Sequence, residues 1–232
     1  MAPRIVTSYI RPTGTAPGVL VWPDIFGLRP AFRQMGQAAR RVRLFRAGGE
    51  SVLSREEKLR RRSKGAASNI QTLVPMMNAL NETTHMTDAK AFVAWLDQQS
   101  SVAKNKKLGT QGYCMGGPMA FRTAAAVPDR VGAVASFHGA SLVTKDANSP
   151  HLQVSKTKAH LLVAIAANDD QRSPTDKDVM KETFAKANVT AEIEVYKGAH
   201  GWCPPDSSNY NEADAGEGME PVAGTFTKKG IA

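Results

Sequence analysis

The chain has few cysteines, few aromatic residues and no long apolar run. Two cysteines in 232 residues exclude the disulfide framework of a small secreted protein. No apolar segment approaches the roughly 18–20 residues of a membrane span, which argues against a membrane-embedded helix. The first residues, MAPRIVTSYIRPTGTAPG, lack the apolar core of a secretory signal. We therefore expect a cytoplasmic protein with no membrane partner.

Strand and helix patterns alternate through most of the chain. The run GVLVW at residues 18–22 is typical of a short buried strand, and the fully apolar run HLLVAIAA at 160–167 is typical of a central parallel strand. The segment TDAKAFVAWLDQQS at 87–100 has helical periodicity, with Thr87 or Asp88 as its cap. This rhythm predicts one α/β domain over residues 1–232, with a mainly parallel sheet flanked by helices.

The net charge of +9 is concentrated in one segment. Residues 40–64 hold ten Lys and Arg against three Glu, a net charge of +7 out of the +9 of the whole chain. A basic segment of this kind is typical of a protein that binds nucleic acid or another acidic partner. Binding of this kind through residues 40–64 is the alternative function from a different class. The rest of the chain is nearly neutral, and in the preferred interpretation we expect the protein to have no nucleic-acid partner.

The stretch QGYCMGG places Cys114 between Gly112 and Gly116, after a predicted strand and before a predicted helix. This spacing matches the nucleophile elbow G-x-Nuc-x-G, with cysteine in place of serine. The positive end of the following helix favours the thiolate, which is the attacking species. The alternative is that Cys114 is a small buried apolar side chain. A glycine-rich turn after a strand favours the nucleophile.

An acid and a histidine follow Cys114 at the ends of two later predicted strands. Asp169 and Asp170 follow the strand at 160–167, and His200 follows the strand AEIEVY. The order nucleophile, acid, base is that of the α/β-hydrolases, in which the acid orients the histidine and the histidine transfers protons. The aspartates could instead be turn formers, and His200 a surface histidine.

The remaining histidines and the second cysteine carry less signal. His138 follows a strand in SFHG, and we expect it at most to line the pocket and not to act as the base. The others are interpreted as solvent-exposed or capping histidines (His85, His151 and His160) and as a structural cysteine (Cys203).

With these motifs the sequence resembles the dienelactone hydrolase family. The resemblance rests on PDIFGLRP, GYCMGG, AANDD and KGAHGW, which together are more specific than the elbow alone. It implies an α/β-hydrolase fold, a Cys-Asp-His triad, neither metal nor cofactor, and hydrolysis of a small-molecule lactone or carboxylic ester. A carboxylesterase or acyltransferase using the same triad is the alternative enzyme.

The resemblance assigns roles to particular residues. Cys114 is the nucleophile and His200 the base. Asp169 is the preferred acid because it requires no insertion before His200, whereas counting back from Pro174 selects Asp170. The acidic residue before Ile-Phe-Gly, which contacts the resting thiol in the family, is Asp24 here, and we also assign it to the substrate-binding residues. The oxyanion hole consists of two backbone N–H groups, those of Ile25 and Met115.

The segment after the histidine departs from the family pattern. Dienelactone hydrolases have an arginine there that helps to bind the substrate carboxylate, whereas HGWCPPD offers Trp202 and Pro204. We therefore expect Trp202 to contact the substrate, and the substrate to be less charged than the anionic lactone of the family.

The resemblance fails between about residues 40 and 64, where the fold requires a buried strand. Burying the charges of RVRLFRAGGESVLSREEKLRRRSKG without partners costs on the order of several kcal/mol for each charge. Synonymous codons for residues 41–58, read one base out of frame, encode ASGYSVLVVNPFYREKK, which contains an apolar strand. The same shift turns residues 216–226 into the helical pattern EKAWSRLLAL. We therefore predict that frame slips disrupt one strand, at about residues 43–58, and the C-terminal helix within residues 216–232.

The sequence also bears on redox function and on oligomeric state. A redox thiol protein is disfavoured because no C-x-x-C motif is present. We expect a monomer or a small homo-oligomer.

Overall fold

The computed structural model describes residues 7–9, 15–41 and 70–215, which contain a six-stranded sheet. Strands β2 to β6 are all parallel, and the three-residue β1 is antiparallel to β2 at one edge. The strand order across the sheet is the chain order, β1 to β6. The predicted α/β class with a mainly parallel sheet is confirmed. The strands are Thr7–Tyr9 (β1), Val19–Trp22 (β2), Leu108–Tyr113 (β3), Val131–Phe137 (β4), His160–Ala166 (β5) and Ala191–Tyr196 (β6).

Helices connect the parallel strands. They are α1 (Pro30–Arg41), α2 (Val74–Asn78), α3 (Glu82–Gln98), α4 (Gly116–Ala126), α5 (Ala167–Arg172) and α6 (Asp176–Lys186), with 3-10 turns at Ile70–Thr72 and Pro150–Lys156. Within the described part of the chain, no helix combines the length and the apolar character that a membrane span requires.

The start of α3 is fixed by a reciprocal cap. Thr84 N–H donates to Asn81 Oδ1 at 3.1 Å, and Asn81 N–H donates to Thr84 Oγ1 at 2.8 Å. This capping box satisfies the free N–H groups of the first turn, so the helix begins at Glu82. The predicted cap at Thr87 or Asp88 is wrong, because Thr87 lies inside the helix and donates to Thr83 O.

The core lies on both faces of the sheet. Strands β2, β3 and β4 are buried along their whole length, and β5 nearly so, as expected for parallel strands covered by helices on both sides. One face packs Phe32, Tyr113 and Phe137 together. The other packs α3 and α4 through residues such as Leu96 and Phe121. Because β3 to β6 are parallel, the carboxyl ends of β3, β5 and β6 lie at the same edge of the sheet.

The neighbour of β2 on the side away from β3 is β1, with Thr7 opposite Val21 and Tyr9 opposite Val19. The strand predicted at about residues 43–58, the basic segment 40–64 from residue 42 onward, and the residues 216–232 lie outside the described residues. The frame-slip hypothesis therefore stays a prediction.

Candidate active site

Cys114 lies in a tight turn between β3 and α4. Its backbone φ of 54° is in the left-handed region, which non-glycine residues rarely adopt. Backbone hydrogen bonds hold it there: Cys114 N–H donates to Phe137 O at 3.1 Å, and Cys114 O accepts from Gly117 N–H and Ala140 N–H, each at 3.0 Å. The side chain is partly exposed. This is the geometry of a nucleophile elbow, in which backbone strain holds the reactive atom above the sheet.

The two elbow glycines are required by close backbone contacts. A Cβ on Gly112 would lie 1.9 Å from Gly116 O, and a Cβ on Gly116 would lie 2.3 Å from Trp22 O. Neither position has room for a side chain. The N-terminus of α4 is therefore pressed against the ends of both β2 and β3, and the turn containing Cys114 cannot relax.

His200 and Asp169 form a short hydrogen-bonded pair. His200 Nδ1 lies 2.6 Å from Asp169 Oδ2, and the side chains are 30% and 18% exposed. The loop that carries His200 is fixed at both backbone groups, since His200 N–H donates to Asn168 Oδ1 at 2.8 Å and Asn209 Nδ2 donates to His200 O at 2.7 Å. Asp169 thus lies where an orienting acid is required.

The neighbouring Asp170 points elsewhere. Both of its carboxylate oxygens accept hydrogen bonds from Lys177 Nζ at 2.8 Å. Of the two aspartates between which the sequence left a choice, the structure brings Asp169 to His200.

The surroundings of His200 favour its protonated form. Burial lowers the pKa of His200. The hydrogen-bonding and charge interactions with Asp169 and Cys114 raise it by a larger amount, and together they bring it to about 10. Burial, with the charge of Asp214 as a lesser cause, raises the pKa of Cys203 well above its ordinary value. Cys203 is thus a buried thiol, whereas Cys114 is partly exposed.

The expected oxyanion donors line a common space. Ile25 follows β2 and Met115 opens α4, and both line a cavity of about 380 Å³. Among the residues the structure describes, neither backbone N–H donates a hydrogen bond to another group of the protein.

Asp24 contacts an arginine, which corrects the expectation that it contacts the resting thiol. Arg29 donates to both of its oxygens, at 2.6 and 3.0 Å, and Phe26 N–H donates at 3.0 Å. The same guanidinium binds Asp206 at 2.7 and 2.9 Å and lies 5.0 Å from the centre of the Phe32 ring. Burial raises the pKa of Asp24, while the hydrogen bonds and charge of Arg29 act in the opposite direction.

Trp202 cannot contact substrate, so its assignment as a substrate-binding residue is wrong. The side chain is 0% exposed and lies in the core. Its ring stacks on Tyr196, with centroids 5.6 Å apart, and packs edge-on against His138 at 5.0 Å. The large ring of Trp202, in the loop after β6, is therefore part of the core and is held there by Tyr196 and His138.

His138 lies in the site, although its sequence context carried little signal. Its ring centroid lies 4.8 Å from that of His200, and both side chains line a cavity of about 280 Å³ together with Asp169. Burial, and then the charge of His200, lowers its pKa to about 3, so the ring is neutral. Neither ring nitrogen has a hydrogen-bond partner among the described residues. Its position after β4, at the same sheet edge as Cys114, was the available signal.

Two other histidines interpreted as exposed or capping are buried. His85 on α3 is 7% exposed, and Arg122 donates to its Nδ1 at 2.9 Å. His151 is 5% exposed, and its Nδ1 lies 2.7 Å from Ser149 Oγ. In the described ranges no group of three His, Cys, Asp or Glu side chains could hold a metal ion.

A cysteine elbow after a central parallel strand, with an acid and a histidine at the ends of two later strands, defines an α/β-hydrolase. Solved structures share this fold. A Klebsiella pneumoniae protein assigned as a dienelactone hydrolase superposes with a TM-score of 0.74 at 21% identity, covering 97% of this chain and 98% of that one. A dienelactone hydrolase-like promiscuous phosphotriesterase from metagenomic libraries has a TM-score of 0.67 at 18% identity, covering 97% and 98%.

Sequence comparison identifies the family. The chain belongs to the dienelactone hydrolase family, whose model matches residues 5–229. A Yersinia pestis protein assigned as a carboxymethylenebutenolidase is 25% identical over 224 residues, which cover 94% of this chain and 80% of that protein. Fold and family together place the chain among the hydrolases.

Proposed function

We propose that the protein hydrolyses small carboxylic esters or lactones through a cysteine nucleophile, without a cofactor. The observation that carries this proposal is the position of His200, which hydrogen-bonds Asp169 through Nδ1 and lies close enough to Cys114 for that thiol to affect its pKa. That arrangement supplies a nucleophile, a proton donor and an orienting acid within one site.

Acylation begins from the Cys114 thiolate and the His200 imidazolium. The sulfur attacks the ester carbonyl carbon, and the carbonyl electron pair moves onto oxygen. The Ile25 and Met115 N–H groups stabilise the oxyanion, and such a donor contributes about 3–4 kcal/mol. The tetrahedral intermediate collapses with cleavage of the C–O bond, and His200 gives its proton to the departing alkoxide. The products are an alcohol and a thioester on Cys114; with a lactone, the alcohol remains attached to the acyl group.

Deacylation uses the same groups in the opposite roles. Neutral His200 removes a proton from water, and the resulting hydroxide attacks the thioester carbonyl carbon. The intermediate expels the Cys114 thiolate and releases the carboxylic acid, which leaves His200 protonated and the starting ion pair restored. Asp169 stabilises the imidazolium in both halves and is not itself protonated.

The two cysteines offer a matched test. Purified wild type, Cys114→Ala and Cys203→Ala are assayed with 4-nitrophenyl acetate, and their folding is compared by circular dichroism. We expect Cys114→Ala to lose activity by about 10³-fold or more, and Cys203→Ala to keep activity within about threefold. A thioester-sized mass increase that is present in rapidly quenched wild type and missing in Cys114→Ala would support the acyl-enzyme. If a folded Cys114→Ala keeps more than about a tenth of the wild-type rate, the proposal is wrong.

A further inference from the structure

A cavity of about 380 Å³ is lined in part by Ile25 and Met115, the expected oxyanion donors. It lies between the loop after β2, helix α2, the first turns of α3 and the N-terminus of α4. Its lining is mainly apolar and rich in methionine: Trp22, Met76, Met77, Leu80, Phe92 and Met119. Methionine side chains are flexible and polarizable, so such a lining adapts to apolar groups of varied shape.

The described lining of this cavity contains no lysine or arginine. Its ionisable members are Asp24, His85 and Asp88. Arg122 donates to His85 Nδ1 at 2.9 Å, and burial followed by the charge of Arg122 lowers the pKa of His85 to about 4, so this imidazole is neutral near pH 7. A carboxylate on the substrate would find no cationic side chain in this described lining, because Arg29 is bound to Asp24 and does not line the cavity, so burying an anion there would be costly.

The catalytic geometry fixes which part of the substrate faces this cavity. The tetrahedral carbon carries four groups: the Cys114 sulfur, the oxyanion, the leaving oxygen and the acyl chain. The leaving oxygen must lie near His200, which lines the separate, more polar cavity of about 280 Å³. The oxyanion faces the Ile25 and Met115 N–H groups. Of the two cavities, the one lined by Ile25 and Met115 is the more apolar, so it is the space better suited to the acyl chain.

We propose that the methionine-lined cavity binds an uncharged, apolar acyl group of the substrate and sets the specificity of the enzyme. This inference rests on the proposed function and adds the substrate class to it. At about 30 Å³ for each non-hydrogen atom, the volume of a water molecule in the liquid, the cavity holds roughly a dozen such atoms. That size fits medium-chain or cyclic acyl groups.

The test compares 4-nitrophenyl esters of acetic, butyric, hexanoic and octanoic acids with the charged 4-nitrophenyl hemisuccinate. We expect kcat/KM to rise from acetate to hexanoate by up to about fourfold for each methylene that is buried. We expect hemisuccinate to react at least about tenfold more slowly than butyrate. Equal rates along the apolar series, or a preference for hemisuccinate, would overturn the inference.

Two variants locate the effect in the cavity. Leu80→Trp fills part of the cavity and should remove the preference for the hexanoate ester over the acetate ester. Acetate esters that differ only in their alcohol should show the same relative rates in the variant and in wild type. Met76 is 48% exposed, so Met76→Arg should fold and should raise the hemisuccinate-to-butyrate ratio by about tenfold. Leu152→Arg, at an exposed position that lines neither cavity, is the matched control and should leave this ratio unchanged.

The outcomes separate this inference from the proposed function. Cys114-dependent hydrolysis of 4-nitrophenyl acetate without an acyl-chain preference would overturn the inference and leave the hydrolase intact. An unchanged chain-length profile in a folded Leu80→Trp would also overturn it. Absence of Cys114-dependent hydrolysis of every ester in the series would overturn both.

Discussion

Replacing Asp169 by asparagine should disable the enzyme, whereas the same change at Asp170 should not. The 2.6 Å contact between Asp169 and His200 joins a carboxylate to an imidazolium. A hydrogen bond of this charged type contributes about 1.5–3 kcal/mol, which corresponds to roughly 10- to 150-fold in rate. Asparagine also allows the wrong tautomer of the histidine, and in a serine protease this substitution lowers kcat by about 10⁴. We expect Asp169→Asn to lower kcat/KM by between about 10² and 10⁴.

Asp170→Asn is the matched control, because Asp170 is adjacent in sequence and differs in its partner. It contacts Lys177 across a partly exposed ion pair, and pairs of this kind contribute about 0–1 kcal/mol. Its activity should stay within about threefold of wild type. Both variants are assayed with one ester at saturating and limiting concentrations, and their unfolding is followed in urea.

The pH profile supplies a second readout. The hydrogen bond and charge of Asp169 raise the pKa of His200, so Asp169→Asn should move the alkaline loss of activity to lower pH, and Asp170→Asn should leave it in place. A loss smaller than tenfold in Asp169→Asn, or an equal loss in both variants, would refute the assignment of the acid.

Further predictions concern the pKa of His200, the glycine turn around Cys114, the ion pairs of Arg29 and the predicted frame slips. Because the pKa of His200 is about 10 and its proton goes to the leaving group, kcat/KM should hold to about pH 9 and fall as pH rises through 10; a fall beginning near pH 7 would contradict this. Gly112→Ala should be inactive and melt at a lower temperature, since its Cβ would lie 1.9 Å from Gly116 O. Arg29→Ala should lower the free energy of unfolding in urea by about 3 kcal/mol, because it leaves the buried Asp24 unpaired, whereas the half-exposed partner change Asp206→Asn should cost less than about 1 kcal/mol. A chain with the two frame slips repaired should be more stable than the written one; genomic DNA that encodes residues 41–58 as written, with a soluble and active product, would refute that hypothesis.

Features determined by neighbouring residues were predictable from the sequence. The alternation of apolar runs and amphipathic segments indicated the parallel sheet, because burial on both faces requires continuous apolar strands such as β5. The spacing of glycines around Cys114 indicated the elbow, because the turn has no room for side chains at those positions. The order of Cys114, the aspartates and His200 indicated one site, because parallel strands bring their carboxyl ends to the same edge.

Features determined by contacts between distant residues were not predictable. Arg29 and Asp206 are separated by 177 positions, so nothing local marks Asp206 as a partner of the arginine that binds Asp24. The choice between Asp169 and Asp170 depends on how the first turn of α5 presents two adjacent side chains. The burial of Trp202 depends on stacking against Tyr196 and His138, and its position after the histidine motif suggested the opposite.

The different exposure of the two thiols allows local unfolding of this protein to be measured by thiol labelling. Cys114 is partly exposed, whereas Cys203 is 6% exposed with its pKa raised by burial. Under native conditions a chromogenic disulfide reagent should consume one equivalent rapidly, and that burst counts intact elbows in a preparation. The second equivalent should appear only when the segment around Cys203 opens. Its rate, measured against reagent concentration, gives the free energy of that local opening without any denaturant.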